Sequence, residues 1–337
     1  MWNEDQLRKL TVRCFSQGSK HWRHTHYGRK SHARRGSRDS VSEGSSSSGG
    51  SQPSSPLTEG YVPSIASSYT YLKSSIKIIT WNVDFMAPNA RTRLFTVLQH
   101  IQYEVLGCNA DDEQPEPCCI LLQEVHPGAF PEILDNDWIR QHFCVMPVKP
   151  DDWPDGHYGN VTLVSRTIPV LNAQLLQFGN SFMGRHAIVV DLRLDAPGPH
   201  RSMVTVRVAN VHLESLPVGT SMRPLQLSSA ADMLREDGIH AGVIAGDMNA
   251  ITPEDGFIHE QADLLDAWKG DEEEEEALTW GHQPPSKYPP GRLDKVLYTP
   301  NGGCTVEEPD RVGVGLKTMD GQWASDHCGL VTVLRVR

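Results

Sequence analysis

Acids, amides and imidazoles recur at the ends of apolar runs along this 337-residue sequence. Ile78-Ile79-Thr80-Trp81 leads into Asn82-Val83-Asp84, and Ile120-Leu121-Leu122 leads into Gln123-Glu124. Val208-Ala209-Asn210-Val211 leads into His212-Leu213-Glu214-Ser215, and Val243-Ile244-Ala245-Gly246 into Asp247-Met248-Asn249. Arg292-Leu293-Asp294 opens one further run, and Ser325-Asp326-His327 precedes the last. A packed scaffold can hold such strand ends on one rim. Asp247 and Asn249, two apart in extended chain, point the same way. Dispersed carboxylate and amide oxygens suit a hard ion such as Mg²⁺, which takes one or two protein carboxylates and keeps water and phosphate oxygens. The sequence has no H-x-x-x-H or Cys/His cluster for zinc, no G-x-x-x-x-G-K-[ST] loop and no G-x-S-x-G elbow. Metal-assisted attack of water on phosphorus is the chemistry that remains.

Each piece alone has an ordinary explanation. An Asp or Asn at a strand end usually caps a turn, a Trp such as Trp81 is usually core, and a single His such as His212 is usually a hydrogen-bonded structural residue. Five or six apolar runs that each stop at such a residue are harder to credit to turn chemistry alone.

The elements that must position these groups are short. Runs of five to nine residues, rich in Val, Ile and Leu, recur from residue 75 onward and are separated by Gly, Pro and Asn. The clearest are 76–83, 118–125, 143–148, 160–165, 186–194, 204–213, 241–245, 293–298 and 329–336. Helical spacing is confined to 91–106, with Leu94, Phe95, Leu98, Ile101 and Val105 on one stripe, and 223–235, with Leu225, Leu227, Ala230 and Leu234. Many strands and few helices predict two packed sheets with helices outside, in a single catalytic domain over 75–337.

Residues 1–60 carry ten Lys/Arg against five Asp/Glu, whereas the remainder carries 21 against 37. The segment 1–74, with eleven serines in 31–60, reads as a disordered basic arm. Its segment 29–35 reads as a nuclear import signal or a weak nucleic-acid contact. An Arg- and Ser-rich mitochondrial presequence is the other option, against which stand Glu4 and Asp5. The start shows no secretory signal, and no run reaches the roughly 18 apolar residues of a membrane span. Seven cysteines, with no C-x-x-C, predict no disulfide framework and a reducing compartment.

The six motifs, in order and spacing over 76–337, resemble the endonuclease/exonuclease/phosphatase superfamily. His212-Leu213-Glu214-Ser215 followed by Gln226-Leu227, together with Leu265-Asp266-Ala267-Trp268, Leu278-Thr279-Trp280 and Ser325–Leu330, is similar to its tyrosyl-DNA phosphodiesterase 2 branch. The resemblance implies an α+β fold, a four-layer α/β/β/α sandwich of two mostly antiparallel sheets flanked by helices. It implies Mg²⁺, with Mn²⁺ as a substitute, on Glu124 and Asp84 with Asp326 beside them. Asn82 and His212 would hold phosphate oxygens, joined by Ser215. Asp247, oriented by Asn249, would handle the proton of water or leaving group. His327, its tautomer fixed by Asp294, would stabilise phosphoryl charge. The implied substrate is DNA with a 5′-blocked end, single-stranded or frayed, acted on in the nucleus by a monomeric, non-membrane protein.

The sequence also departs from that branch. Phe85-Met86 stand where Gly usually follows Asn-x-Asp, and Ala250-Ile251 and Leu216-Pro217-Val218 stand where arginines are common. Glu272–Glu276 reads as a solvated acidic loop, or as one that repels DNA backbone. Trp280 reads equally as a base-stacking residue or as core. Another phosphoester (abasic DNA, polyadenylate, lipid or inositol phosphate) and a non-catalytic adaptor of the same fold stay open as alternatives.

Overall fold

The computed structural model describes residues 4–25, 73–198 and 202–337; the basic segment 29–35 and the serine-rich stretch lie outside the described residues. The strands are β1 (Gln6–Lys9), β2 (Arg13–Ser16), β3 (His21–His24), β4 (Ser75–Asn82), β5 (Cys118–Val125), β6 (Phe143–Met146), β7 (Gly159–Ser165) and β8 (Val170–Gln177). They continue with β9 (His186–Ala196), β10 (Ser202–His212), β11 (Ala241–Asp247), β12 (Leu265–Asp266), β13 (Asp294–Tyr298), β14 (Cys304–Val306), β15 (Asp310–Val312) and β16 (Gly329–Val336). The helices are α1 (Ala90–His100), α2 (Pro131–Leu134), α3 (Asp137–His142), α4 (Arg223–Leu234) and α5 (Ile258–Gln261).

Two mixed sheets result. The first runs β1-β8-β9-β10-β11-β13-β12, and the second β14-β16-β4-β5-β7-β6-β2-β3, with β15 also on β16. Only β10–β11 and β4–β5 are parallel among these pairings. The strands covered on both faces, β5 and β11 above all, are near-continuous apolar runs, as burial on both sides requires. Leu94, Val97, Leu98 and Ile101 lay α1 on the outside of the second sheet, and Leu227, Ala230, Ala231 and Leu234 lay α4 on the outside of the first. The architecture is the expected sandwich with helices on both faces. The helical stripes are rotated slightly from the sequence expectation, because Phe95 and Leu225 point to solvent and Val97 and Ala231 take their places.

The two sheets are joined face to face by amides rather than by hydrocarbon alone. Asn210 on β10 is fully buried, and its Nδ2 donates to the carbonyls of Leu122 and Val161 at 3.2 and 3.1 Å. Its Oδ1 accepts from Gln123 Nε2 at 2.8 Å, and Asn160 Nδ2 donates to the Asn210 carbonyl at 3.2 Å. Removing such a side chain orphans several buried groups, each at about 1–3 kcal/mol. This polar bridge lies one residue pair below the strand ends and fixes the sheets against each other there.

The N-terminal segment corrects the sequence expectation. Residues 4–25 are not a loose arm: β1 pairs antiparallel with β8, and β2 pairs with β6. Leu10, Val12 and Phe15 are buried, enough apolar contact to order a short, otherwise basic stretch. Cys14 is in register with Cys144, and the two form a disulfide with Cα atoms 4.4 Å apart. This overturns the expectation of no disulfide, because a count of cysteines carries no information about which become sheet neighbours. Cys108, Cys118, Cys119, Cys304 and Cys328 are free and buried. No helix among the described residues is long and apolar enough to cross a membrane.

Candidate active site

The strand registers bring the motifs to one edge of the sandwich. His212, last in β10, lies opposite Asp247, last in β11, and Asp247 lies opposite Asp294, first in β13. From the other sheet, Asn82 closes β4 and its Nδ2 donates to Asp247 Oδ2 at 2.9 Å. Gly246 allows β11 to lie close against β10 just before Asp247: at φ +147° a Cβ there would stand 2.0 Å from the Val211 carbonyl oxygen. Asp247 Oδ1 accepts from the Asn249 amide nitrogen at 2.8 Å. Burial raises the Asp247 carboxyl to about 7, with His327 pulling down and Asp294 pushing up.

His327 enters from the segment before β16. Trp81 Nε1 donates to its carbonyl oxygen at 3.0 Å, and Ser325 Oγ accepts from its backbone nitrogen at 3.0 Å while donating to the Asn82 carbonyl at 2.6 Å. Trp81 is therefore core, with a second task of tying the last motif to β16 and β4. The imidazole Nδ1 is 2.7 Å from Asp294 Oδ2, and Nε2 is 3.9 Å from Asp247 Oδ2. Burial alone would lower this histidine, but the Asp294, Asp326 and Asp247 carboxylates outweigh it and hold it well above the usual value. Nδ1–H to Asp294 and Nε2–H toward the cleft follow.

His212 is the opposite case. Its Nδ1 lies 2.6 Å from Arg185 Nη1. A guanidinium only donates, so Nδ1 accepts and the ring proton sits on Nε2, which is 3.4 Å from Asp247 Oδ2 and 3.6 Å from Glu124 Oε1. Burial, Arg185 and His327 together hold this imidazole neutral, well below its ordinary pKa. The site thus has one histidine kept charged and one kept neutral, each with its outer nitrogen spoken for.

Three carboxylates stand at the outer end. A bulge between Leu122 and Val125 places Glu124 at φ +58°, turning its side chain toward the other sheet; Oε2 accepts from the Phe85 amide at 3.1 Å. Asp84, at φ +51°, accepts through Oδ1 from Met86 and Ala87 and faces Arg93 Nη1 at 3.5 Å through Oδ2. Asp326 Oδ2 accepts from Trp280 Nε1 at 2.9 Å. Burial raises both Asp84 and Glu124; Asp326 adds to that, while Arg93 opposes it at Asp84 and Arg185 at Glu124. Each carboxylate has one oxygen pinned by an N–H, while the other faces Arg93 in Asp84, His212 Nε2 at 3.6 Å in Glu124 and His327 Nε2 at 3.9 Å in Asp326; carboxylate oxygens of this kind are the donors a hard divalent ion takes. Asp247, Asp294 and His327 also bring ligand atoms within 4.8 Å of one another and could hold a metal.

The remaining expected residues fall nearby in other capacities. Asn249 spends its Nδ2 on the Leu213 carbonyl at 3.0 Å, so it braces the loop beside Asp247. Ser215 Oγ accepts from Arg185 Nη2 at 3.1 Å. Trp280, half-buried, directs its indole N–H to Asp326, which fixes the edge of the ring. Glu214 is fully buried and accepts from Ser181, Phe182, Met183 and Gln226, a brace rather than a ligand. In the acidic run, Glu272 pairs with Arg292 at 3.1 Å and Lys295 at 2.8 Å.

Two arginines escaped the sequence reading. Arg93 is buried in α1 and donates to the carbonyls of Val83, Ala87 and Ala324. It clamps the Asp84 loop to the segment before Asp326. Arg185 lies beside the His-Leu-Glu-Ser motif: it is 4% exposed, its Nε has no partner, and its guanidinium carbon is 5.4 Å from the Tyr158 ring centre. Its position just ahead of β9, beside His186, was the available signal.

The sequence model of the Endonuclease/Exonuclease/phosphatase family matches residues 79–327. The chain belongs to this family. Its enzymes depend on divalent metal, in keeping with the Asp247, Asp294 and His327 cluster, whose ligand atoms could hold an ion. Among solved structures the fold is similar to D. rerio TDP2 complexed with single strand DNA product, with a TM-score of 0.61 and 18% identity over 78% of this chain and 100% of that one. A humanized D. rerio TDP2 gives 0.60 and 18% over the same shares. Truncated Caenorhabditis elegans TDP2 gives 0.58 and 19% over 79% and 99%. At such identities the likeness is one of fold. No curated protein matches the chain significantly.

Proposed function

We propose that this phosphoesterase of the Endonuclease/Exonuclease/phosphatase family is a Mg²⁺-dependent phosphodiesterase that hydrolyses 5′-phosphotyrosyl bonds at DNA ends. The observation that carries the reading is the convergence of Asn82, His212 and His327 on Asp247, beside Glu124. Glu124, with Asp84 and Asp326, would hold the ion, which when bound neutralises charge on the phosphoryl oxygens. Asp247 Oδ2, aimed by Asn82 and by the Asn249 amide, accepts the proton of the attacking water as its oxygen bonds to phosphorus. His327 Nε2–H donates to one phosphoryl oxygen, and His212 Nε2–H and Asn82 to others, as charge builds in the transition state. The bond to the tyrosyl oxygen breaks, and a phenol of pKa about 10 leaves with little help from a general acid. The family's D. rerio TDP2 structure with single-strand DNA supports a DNA-end substrate. The basic segment 29–35 makes the nucleus the proposed compartment, and the DNA reading needs no membrane or partner chain.

A second reading has one specific observation behind it. Leu216, Val218 and Ile251 are exposed at positions where the branch carries arginines, and a rim without those cations suits a less anionic phosphodiester. The deciding experiment offers the purified chain a single-stranded oligonucleotide with a 5′-phosphotyrosine, with Mg²⁺ or EDTA, beside its 3′-phosphotyrosyl isomer and an abasic duplex. Mg²⁺-dependent release of a 5′-phosphate from the first alone supports the proposal, with Glu124→Gln losing the metal response. Turnover of another phosphodiester instead would keep the site and discard the DNA reading.

A further inference from the structure

Beside the catalytic cluster lies a cleft of about 540 Å³ walled by Phe85, Met86, His126, Asp155, His157 and Tyr158. The Phe85 and Tyr158 rings stack at its base, with centroids 3.9 Å apart and planes 18° from parallel. The stack is fastened to the site on both sides. The Phe85 amide donates to Glu124 Oε2 at 3.1 Å, and the Tyr158 ring lies 6.3 Å from that of His212 and beneath Arg185. Met86, 80% exposed, forms an apolar lip.

We infer that this cleft is the subsite for the protein side of the substrate: it takes the phosphorylated aromatic ring and the polypeptide attached to it. This rests on the proposed reading, in which a phosphorus atom held between Glu124 and His327 has DNA on one ester arm and tyrosine on the other. Charge decides which arm the cleft accepts. None of its lining side chains is Lys or Arg, and Asp155 is a carboxylate, 4.0 Å from His157. A nucleic-acid strand there would bring further phosphates against that carboxylate with no Lys or Arg in the lining to offset them; the nearby Arg185 already engages His212 and Ser215. A neutral ring instead meets the outer side of the Phe85–Tyr158 stack and the Met86 thioether, contacts that favour it. Phe85 and Met86 are also the residues that replace the Gly expected after Asn-x-Asp. The departure that first counted against the substrate class thus becomes the feature that builds its protein-side pocket.

The test is binding by the full chain in EDTA, so that nothing turns over. A single-stranded oligonucleotide carrying a 5′-phosphotyrosyl peptide is compared with the same oligonucleotide carrying only a 5′-phosphate. A second pair, phenyl phosphate and propyl phosphate, contains no DNA. The aromatic member of each pair should bind about tenfold more tightly than its counterpart. That preference should vanish in Phe85→Ala and shrink in Met86→Ala, with the non-aromatic ligands unchanged. Phe85→Leu, which keeps apolar bulk, controls for folding and should lose the preference while retaining the native circular dichroism spectrum. Equal weakening of all ligands in the variants, or no preference for the ring in the unmodified protein, overturns the inference. A ring preference with phenyl phosphate but no binding of either oligonucleotide would leave the cleft's chemistry standing and reject the DNA reading.

Discussion

Nη1 of Arg185 stands 2.6 Å from Nδ1 of His212, so a residue ahead of one strand dictates which nitrogen of a histidine at the end of another carries the proton. Without the guanidinium, the His212 ring can take either tautomer and can be protonated. Arg185→Gln should lower kcat by about 10²–10³-fold, on the scale of losing one donor aimed at developing charge. Arg185→Lys should recover only part of this, since an ammonium cannot reach both His212 and Ser215 as the planar fork does. Nitrogen chemical shifts of His212 would report the tautomer directly, and an unchanged Nε2–H form in Arg185→Gln would refute the assignment.

Asp247→Asn should cost about 10²–10⁴ in kcat if the carboxylate takes the proton. It also sets an amide against Asn82 Nδ2, now 2.9 Å from Asp247 Oδ2. The exchanged pair Asn82→Asp with Asp247→Asn can re-form that hydrogen bond. Thermal stability should return in the double variant while turnover stays low. Recovery of both would show that Asp247 holds position rather than moves a proton.

His186, buried beside the inter-sheet bridge, is held neutral, its pKa lowered to about 4 by burial against the smaller upward pull of the Gly184 carbonyl. Its Nε2 accepts from the Asn160 amide at 3.3 Å and its Nδ1 faces the Gly184 carbonyl at 3.2 Å. The unfolded chain protonates this histidine below about 6.5 and the folded protein does not until about 4. Stability is therefore full above 6.5 and is lost as pH falls through that window, by roughly 3 kcal/mol in all. Urea unfolding of the native protein and of His186→Gln between pH 7.5 and 4.5 should show the native protein losing its advantage on the acid side. Parallel curves would mean that His186 does not carry this dependence.

Alkylation of the denatured, unreduced protein should label five cysteines, and seven after reduction, with Cys14 and Cys144 as the difference. Cys14→Ser, which opens a cross-link spanning 130 residues, should cost roughly 2–5 kcal/mol. Seven labelled thiols in protein purified without reductant would contradict the bond.

Much of this was visible in the sequence where a local pattern reports a local structure. The runs ending in Asn82, Glu124, His212 and Asp247 are strands that end there or one residue later, and 223–234 is a helix. The first helix is α-helical to His100 and finishes as a π-type turn over Ile101–Val105, within the span the periodicity marks. Pairwise relations across the fold were not visible. Arg185 looks like any arginine between two apolar stretches, and only the crossing of β9 and β10 puts it on His212 and Ser215. Strand β8 was missed because Asn172, Gln174 and Gln177 interrupt its apolar run, and β1 to β3 were hidden by basic composition. Trp280 could not be assigned because its task depends on Asp326, 46 residues away.

Strands β1 and β2 cover what would otherwise be the last strand of each sheet, β8 in one and β6 in the other. The strands left outermost at those edges are four residues each, Gln6–Lys9 and His21–His24, and both carry basic side chains. Short, charged borders of this kind discourage the open backbone of one molecule from pairing with another. A polypeptide starting at residue 75, though it contains the whole family match, would present two uncapped ladders to its neighbours. Residues 4–25 thus act as the guard that keeps each copy of the catalytic domain from extending into the next.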